Sequence, residues 1–171
     1  ETAFRHVVTG IQITGIDKDD KEALIAELPD GVTTVIHRGV NSLIACVGKG
    51  KCKNGQMETA ELADYIERKH YGRKTSHKCK IGISGCGRNC PDSMVKDIAF
   101  IGTSQGFMLA VGGNTGMRPE AGKILMRKLS VEQAKKAADI LIDWYAENGE
   151  PKERMGKLLE RLGNPLENKT L

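Results

Sequence analysis

The sequence predicts an α+β fold in which helices back a β-sheet. Three observations carry this. Short apolar runs bounded by glycine recur through the middle of the chain, as buried strands do. Capping patterns open segments with an apolar face at helical spacing. Four of the five cysteines lie on glycine-broken loops that directly follow strand-like runs.

Taken in order, Phe4–Ile16 is rich in β-branched residues and reads as a strand broken at Gly10. Asp19 and Glu22 form a capping pattern that opens a short helix ending before Pro29. Gly31–His37 and Ser42–Val47 are the next strands. Residues 1–41 therefore read as part of a ferredoxin-like α+β segment. Asn54–Gly55 introduces a helix to about Lys69, with Leu62, Ala63 and Ile66 on its apolar side. Lys80–Ser84, Asp97–Gly102 and Gly106–Gly113 are apolar strands expected to be covered on both faces.

A glycine-rich loop without strand or helix period follows, and then a strand at Lys123–Leu129. Ser130 and Gln133 make a capping box for a helix to Gly149. A last helix starts near Pro151, carries Met155, Leu158, Leu159 and Leu162 on one side, and stops at Gly163 and Pro165. Residues 42–165 form the main unit, and residues 166–171 a polar, frayed tail.

At 171 residues the chain is long enough for a real core. Aromatics are only 4% of it, so that core must rest on Ile, Leu, Val, Ala and Met. The net charge of +4 is mild and its basic residues are not gathered into one block, which argues against a nucleic-acid partner. No apolar run approaches the roughly 20 residues of a membrane span, and no leader pattern is present. Chain start at Glu1 rather than Met leaves a preceding piece as an expectation. Without a secretion signal, five cysteines read as reduced, metal-binding thiols in a cytoplasmic protein rather than as a disulfide framework.

Cys46 and Cys52 have five residues between them, and Cys86 and Cys90 have three. Four thiolates brought together can hold a 4Fe-4S cluster. Zinc knuckles pair ligands two to four residues apart, which suits the second pair but not the first. Spacing alone thus favours the cluster and leaves zinc and unrelated buried thiols open. Glycines 48, 50, 55, 82, 85 and 87 let backbone N–H groups approach the sulfurs, although turn-making is their commoner use. Lys49, Lys51, Lys53 and Arg88 interleave with the ligands and would stabilise an anionic centre. Cys79 is expected to be an inert core thiol.

The segments "CVGKGKC", "KIGISGCGRNCPDSMVKDIAFIG", "FMLAVGGNTGMRP" and "KERMGKLLERLG", in that order, resemble the sirohaem and iron–sulfur half of sulfite and nitrite reductases. The resemblance covers roughly residues 42–163, and "TGIQITGI" resembles the end of the ferredoxin-like segment that precedes this half. It implies that Cys46, Cys52, Cys86 and Cys90 bind a 4Fe-4S cluster, and that the Cys90 sulfur is shared with sirohaem iron. It also implies a six-electron reduction of a small oxyanion, sulfite or nitrite, in which Cys90, Lys49, Lys51 and Arg88 serve catalysis. Sirohaem carries many carboxylates, so its pocket calls for cations, and the candidates are Arg5, Arg38, Lys49, Lys51, Arg88 and Arg118, with Asn114 at the macrocycle edge.

The expected electron donor is a ferredoxin or a flavin/iron–sulfur subunit, with oligomerisation left open. The chain departs from the family in three ways. It has one half where larger members have two. Val8 or Thr9 stands where an arginine is expected, and Gly87-Arg88-Asn89 replaces a proline–asparagine pair between the last cysteines. A second expectation is therefore an iron–sulfur electron-transfer module without its own sirohaem, and a third a structural zinc or tetrapyrrole-carrying protein.

Overall fold

The structure is a computed structural model and describes residues 3–7, 10–14, 16–28, 39–167 and 169–171. It divides into two compact units, Glu1–Val35 and Ile36–Leu171.

In the first unit, β1 (Ala3–Val7) and β2 (Gly10–Thr14) pair antiparallel, with Ala3 opposite Thr14 and Val7 opposite Gly10. The single interrupted strand of the sequence reading is thus a hairpin. A 3₁₀ turn at Lys18–Asp20 leads into α1 (Lys21–Ala26). The capping box predicted at Asp19 and Glu22 does not form: Asp19 lies inside the 3₁₀ turn, Asp20 takes the N-cap, and no side chain caps the helix. The strand expected at 31–37 and the cation Arg38 lie outside the described residues, as does the side chain of Arg5.

The second unit is built on one five-stranded sheet. Its strands are β3 (Gly39–Ala45), β4 (Lys78–Ser84), β5 (Ile98–Thr103), β6 (Gly106–Val111) and β7 (Lys123–Leu129), in that spatial order. β3, β4 and β5 run parallel, whereas β5–β6 and β6–β7 are antiparallel. The parallel pair β3–β4 needs a crossover, and α2 (Ala60–His70) supplies it. Two further helices, α3 (Val131–Asn148) and α4 (Met155–Leu162), complete the unit.

Alternation along the strands decides the layers. Cys79, Ile81 and Ile83 of β4, Ile98 and Phe100 of β5, and Phe107, Leu109 and Val111 of β6 meet Leu62 and Ile66 of α2 and Ala138, Leu141 and Ile142 of α3 in the main core. The intervening residues Ala99, Ile101 and Ala110 form a second, smaller cluster with Met94 and Met108. β5 is therefore covered on both faces, as its unbroken apolar run requires. The fold is α+β.

The Ser130 capping box is present: Gln133 N–H donates to Ser130 Oγ at 3.2 Å, and Ser130 N–H donates to Gln133 Oε1 at 3.0 Å. Several boundaries move, and β3 spans Gly39–Ala45 where Ser42–Val47 was expected. α2 begins at Ala60, five residues after Gly55, because residues 54–59 make a loop that packs on the sheet edge. α4 begins at Met155, with Pro151 left in a turn. Leu166, the first residue of the expected frayed tail, is 3% exposed and belongs to the core.

Candidate metal centre

Parallel pairing fixes where the cysteines go. Ala45 lies opposite Ile83, and the Cys46 N–H donates to the Ile83 carbonyl at 3.0 Å, so β3 and β4 end side by side. Both sulfur-bearing loops leave the same sheet edge. They touch at once, since the Gly85 N–H donates to Cys46 Sγ at 3.0 Å.

Close backbone packing explains the glycines here. A Cβ on Gly85 would stand 2.7 Å from Gly48 Cα and 3.0 Å from the Met57 oxygen. Gly48 itself has φ +66° and abuts Thr59, so a side chain would be both strained and blocked. The turn between the first two cysteines is tied down by Cys52 N–H to the Gly48 carbonyl and by Lys49 N–H to the Met57 carbonyl. The Gly85 carbonyl accepts from Gln56 N–H at 2.8 Å and Met57 N–H at 2.9 Å, which stitches the first loop to the second.

The second loop reverses twice. Asn89 (φ 54°) and Asp92 (φ 52°) both adopt the left-handed conformation that Asn and Asp tolerate better than other side chains. Asn89 Oδ1 accepts from Ser84 Oγ and Met94 N–H, holding the first reversal in place. Between these residues Cys90 is turned outward and exposed, while Cys46, Cys52 and Cys86 are partly covered.

Cys86, Arg88, Lys53 and the segment Asn54–Gln56 line an open depression of about 410 Å³. Lys49, Lys51, Lys53 and Arg88 are exposed and have no ion-pair partner among the described residues. Cys79, by contrast, is fully buried in the main core, and burial pushes its thiol well above the usual range.

This donor set fits a 4Fe-4S cluster: four accessible thiols on two touching loops, with a backbone N–H already aimed at one sulfur and cations around the rim. Among the described residues no three His, Cys, Asp or Glu side chains are gathered tightly enough for a single ion. A lone zinc with bonds of about 2.3 Å draws its sulfurs to within about 4 Å of one another. The corners of an iron–sulfur cube are held farther apart.

Asn114 is not brought to this edge, and Arg118 lies beyond Asn114 in an exposed stretch. They follow β6, whose last residue Val111 pairs with Ile98 at the start of β5, at the opposite end of the sheet. Asn114 Oδ1 accepts from Gly116 N–H at 3.1 Å and Arg154 Nη1 at 3.3 Å, so its side chain is engaged in its own turn and in a neighbouring ion pair. In that pair Arg154 donates through Nη2 (2.7 Å) and Nε (3.1 Å) to Asp97 Oδ1, and Lys80 N–H donates to Oδ2. Burial pushes the Asp97 carboxyl up, and Arg154 works against that. Sequence reasoning missed this network. Its only sequence trace is an acid set directly before an apolar strand.

A second missed cluster joins α2 to α3. His70 Nε2 lies 2.6 Å from Asp139 Oδ1, and Tyr65 and Lys69 both donate to Oδ2 at 2.7 Å. Burial would raise the Asp139 carboxyl, but Lys69, His70 and Tyr65 together hold it below the usual range.

Comparison with known proteins decides the family. The pattern described as "Nitrite and sulphite reductase 4Fe-4S domain" matches residues 37–165. The chain belongs to this family. It is 31% identical over 153 residues to an assimilatory-type sulfite reductase of Nitratidesulfovibrio vulgaris, covering 90% of this chain and 70% of that protein. It is likewise 31% identical over 153 residues to a nitrite reductase (NAD(P)H) of Bacillus subtilis, but there spans only 19% of the relative's length.

Among solved structures, dissimilatory sulfite reductase I superposes with a TM-score of 0.76 at 14% identity, over 95% of this chain and 61% of that one. The NirA protein of Mycobacterium tuberculosis gives 0.65 at 18% identity, over 74% and 25%. At these identities the structural matches speak for the fold. Cys46, Cys52, Cys86 and Cys90 fall inside the matched residues, as does Cys79.

Proposed function

We propose that the chain is the cofactor-bearing half of a reductase of sulfite or nitrite, with Cys46, Cys52, Cys86 and Cys90 holding a 4Fe-4S cluster and Cys90 also meeting sirohaem iron. The observation that carries this reading is the contact between the two sulfur loops, Gly85 N–H on Cys46 Sγ. When bound, cluster and sirohaem supply electron storage and Lewis-acid iron for a six-electron reduction. The chain's own residues do the rest. The thiolates fix the iron, backbone amides stabilise added negative charge on sulfur, and the exposed Cys90 turn presents its sulfur outward. Lys49, Lys51 and Arg88 draw a small oxyanion toward the edge, and the lysines hold transferable protons at Nζ. Arg88 pairs with carboxylates of the macrocycle, and Arg5, Arg38, Arg118 and Asn114 are the further candidates for holding it.

The chain works in the cytoplasm with a ferredoxin or a flavin/iron–sulfur subunit as electron donor, within an assembly of subunits. No helix among the described residues is long and apolar enough to cross a membrane.

Anaerobic reconstitution with iron, sulfide and sirohaem tests the reading. Four irons and four acid-labile sulfides per chain, a sirohaem absorption spectrum, and sulfide or ammonia formed from sulfite or nitrite with an artificial reductant are expected. A second reading, cluster-bearing electron transfer without sirohaem, is favoured by the remoteness of Asn114 from the cysteines. Cluster signals without tetrapyrrole uptake would select it.

A further inference from the structure

We propose that Thr59 is a positioning residue for the Cys46 sulfur, holding one corner of the cluster against the Gly85 amide; this rests on the assignment of the four cysteines proposed above. Thr59 stands at the N-cap of α2, where threonine ordinarily turns its hydroxyl to the first-turn amides. Here it does not. Glu58 Oε1 covers the helix start instead, accepting from Thr59 N–H at 2.9 Å and Ala60 N–H at 2.8 Å. The Thr59 hydroxyl instead donates to the backbone carbonyl of Cys46, thirteen residues back in the chain.

Thr59 is 1% exposed although it sits on a loop edge. Its Oγ1 lies against Gly48, where an added Cβ would be 2.7 Å away. Gly48 in turn packs on Gly85, the residue whose amide meets the Cys46 sulfur. One hydroxyl thus fixes the Cys46 carbonyl while its neighbours fix the sulfur's donor. No other cysteine sulfur has a hydrogen-bond donor among the described residues. A residue that breaks the local capping rule and spends its side chain on a ligand residue is better explained by the site than by the helix.

The physical consequence is electrochemical. An N–H donated to a cluster thiolate stabilises the more anionic, reduced form and raises the potential. Loosening Cys46 lengthens that bond and lowers it. The test uses anaerobically reconstituted full chain as wild type, Thr59→Val and Thr59→Ser, with the reduced cluster's EPR signal followed in a redox titration and iron loss to a chelator timed in parallel. Thr59→Val is expected to shift the midpoint to lower potential and release iron several-fold faster, and Thr59→Ser to restore both. A fully loaded Thr59→Val with the wild-type midpoint would overturn the inference. So would failure of Thr59→Val and Thr59→Ala to fold while Thr59→Ser folds, because the residue would then serve the fold alone. Wild-type protein that takes up no cluster would strike the parent reading instead.

Discussion

The two ends of the sheet solve opposite problems. At one end, where β3 and β4 finish, glycine backbones touch, thiols are partly open, and Lys49, Lys51, Lys53 and Arg88 stand without acidic partners among the described residues. At the other, Asp97 is buried beneath Arg154 and Asn114 with both carboxylate oxygens bonded. The first end is arranged to receive something and the second to be closed. Charge is kept available where chemistry is expected and used up where the structure is held.

The largest expected effect breaks the open end. Cys46→Ser or Cys86→Ser should abolish iron uptake while the circular dichroism of the apo-protein stays unchanged, and Cys79→Ser should leave iron content intact. Cluster loss in the Cys79 variant would show that the ligand set has been drawn wrongly.

At the closed end, Arg154→Met leaves Asp97 buried without its counter-charge and should cost about 3–5 kcal/mol in urea unfolding. The cost should shrink as pH falls. A carboxyl whose folded pKa is raised binds a proton more readily folded than unfolded, so stability rises as pH drops through that raised value toward the ordinary one.

Asp139→Asn should cost about 1–3 kcal/mol at neutral pH, since it leaves buried His70 and the donors of Tyr65 and Lys69 poorly matched. Here the sign is reversed. Asp139 is held below the ordinary carboxylate value, so its contribution is present above that value and lost as pH falls through the folded one, and the variant should lack this acid sensitivity. The smallest effect is Lys157→Gln, which removes an exposed pair with Glu160 and should leave the midpoint of urea unfolding where it is in the wild type.

What could be read from the chain follows the range of the interactions. β7 and the α3 capping box are written in adjacent residues, and both are found at the predicted positions. The glycine–cysteine loops were legible because sulfur ligands and tight turns use few residue types. Thr59 was not, because its partner is thirteen residues away and its local setting suggests an ordinary helix cap. Asp97 and Arg154 meet across 57 positions, and nothing near either announces the other. The failed Asp19–Glu22 pattern has the opposite lesson: a motif of correct spacing does not form when the chain enters its helix through a 3₁₀ turn.

The small bridge between Asn114 and Glu120, with reciprocal N–H to carbonyl bonds of 2.9 Å, pinches off the exposed stretch from Thr115 to Pro119 like the neck of a bag. Everything beyond that neck, including the fully bared Met117, can change in length or composition without tugging on the strands that feed it. Related chains that grow extra segments at this place would gain a new surface and keep their sulfur-bearing end untouched.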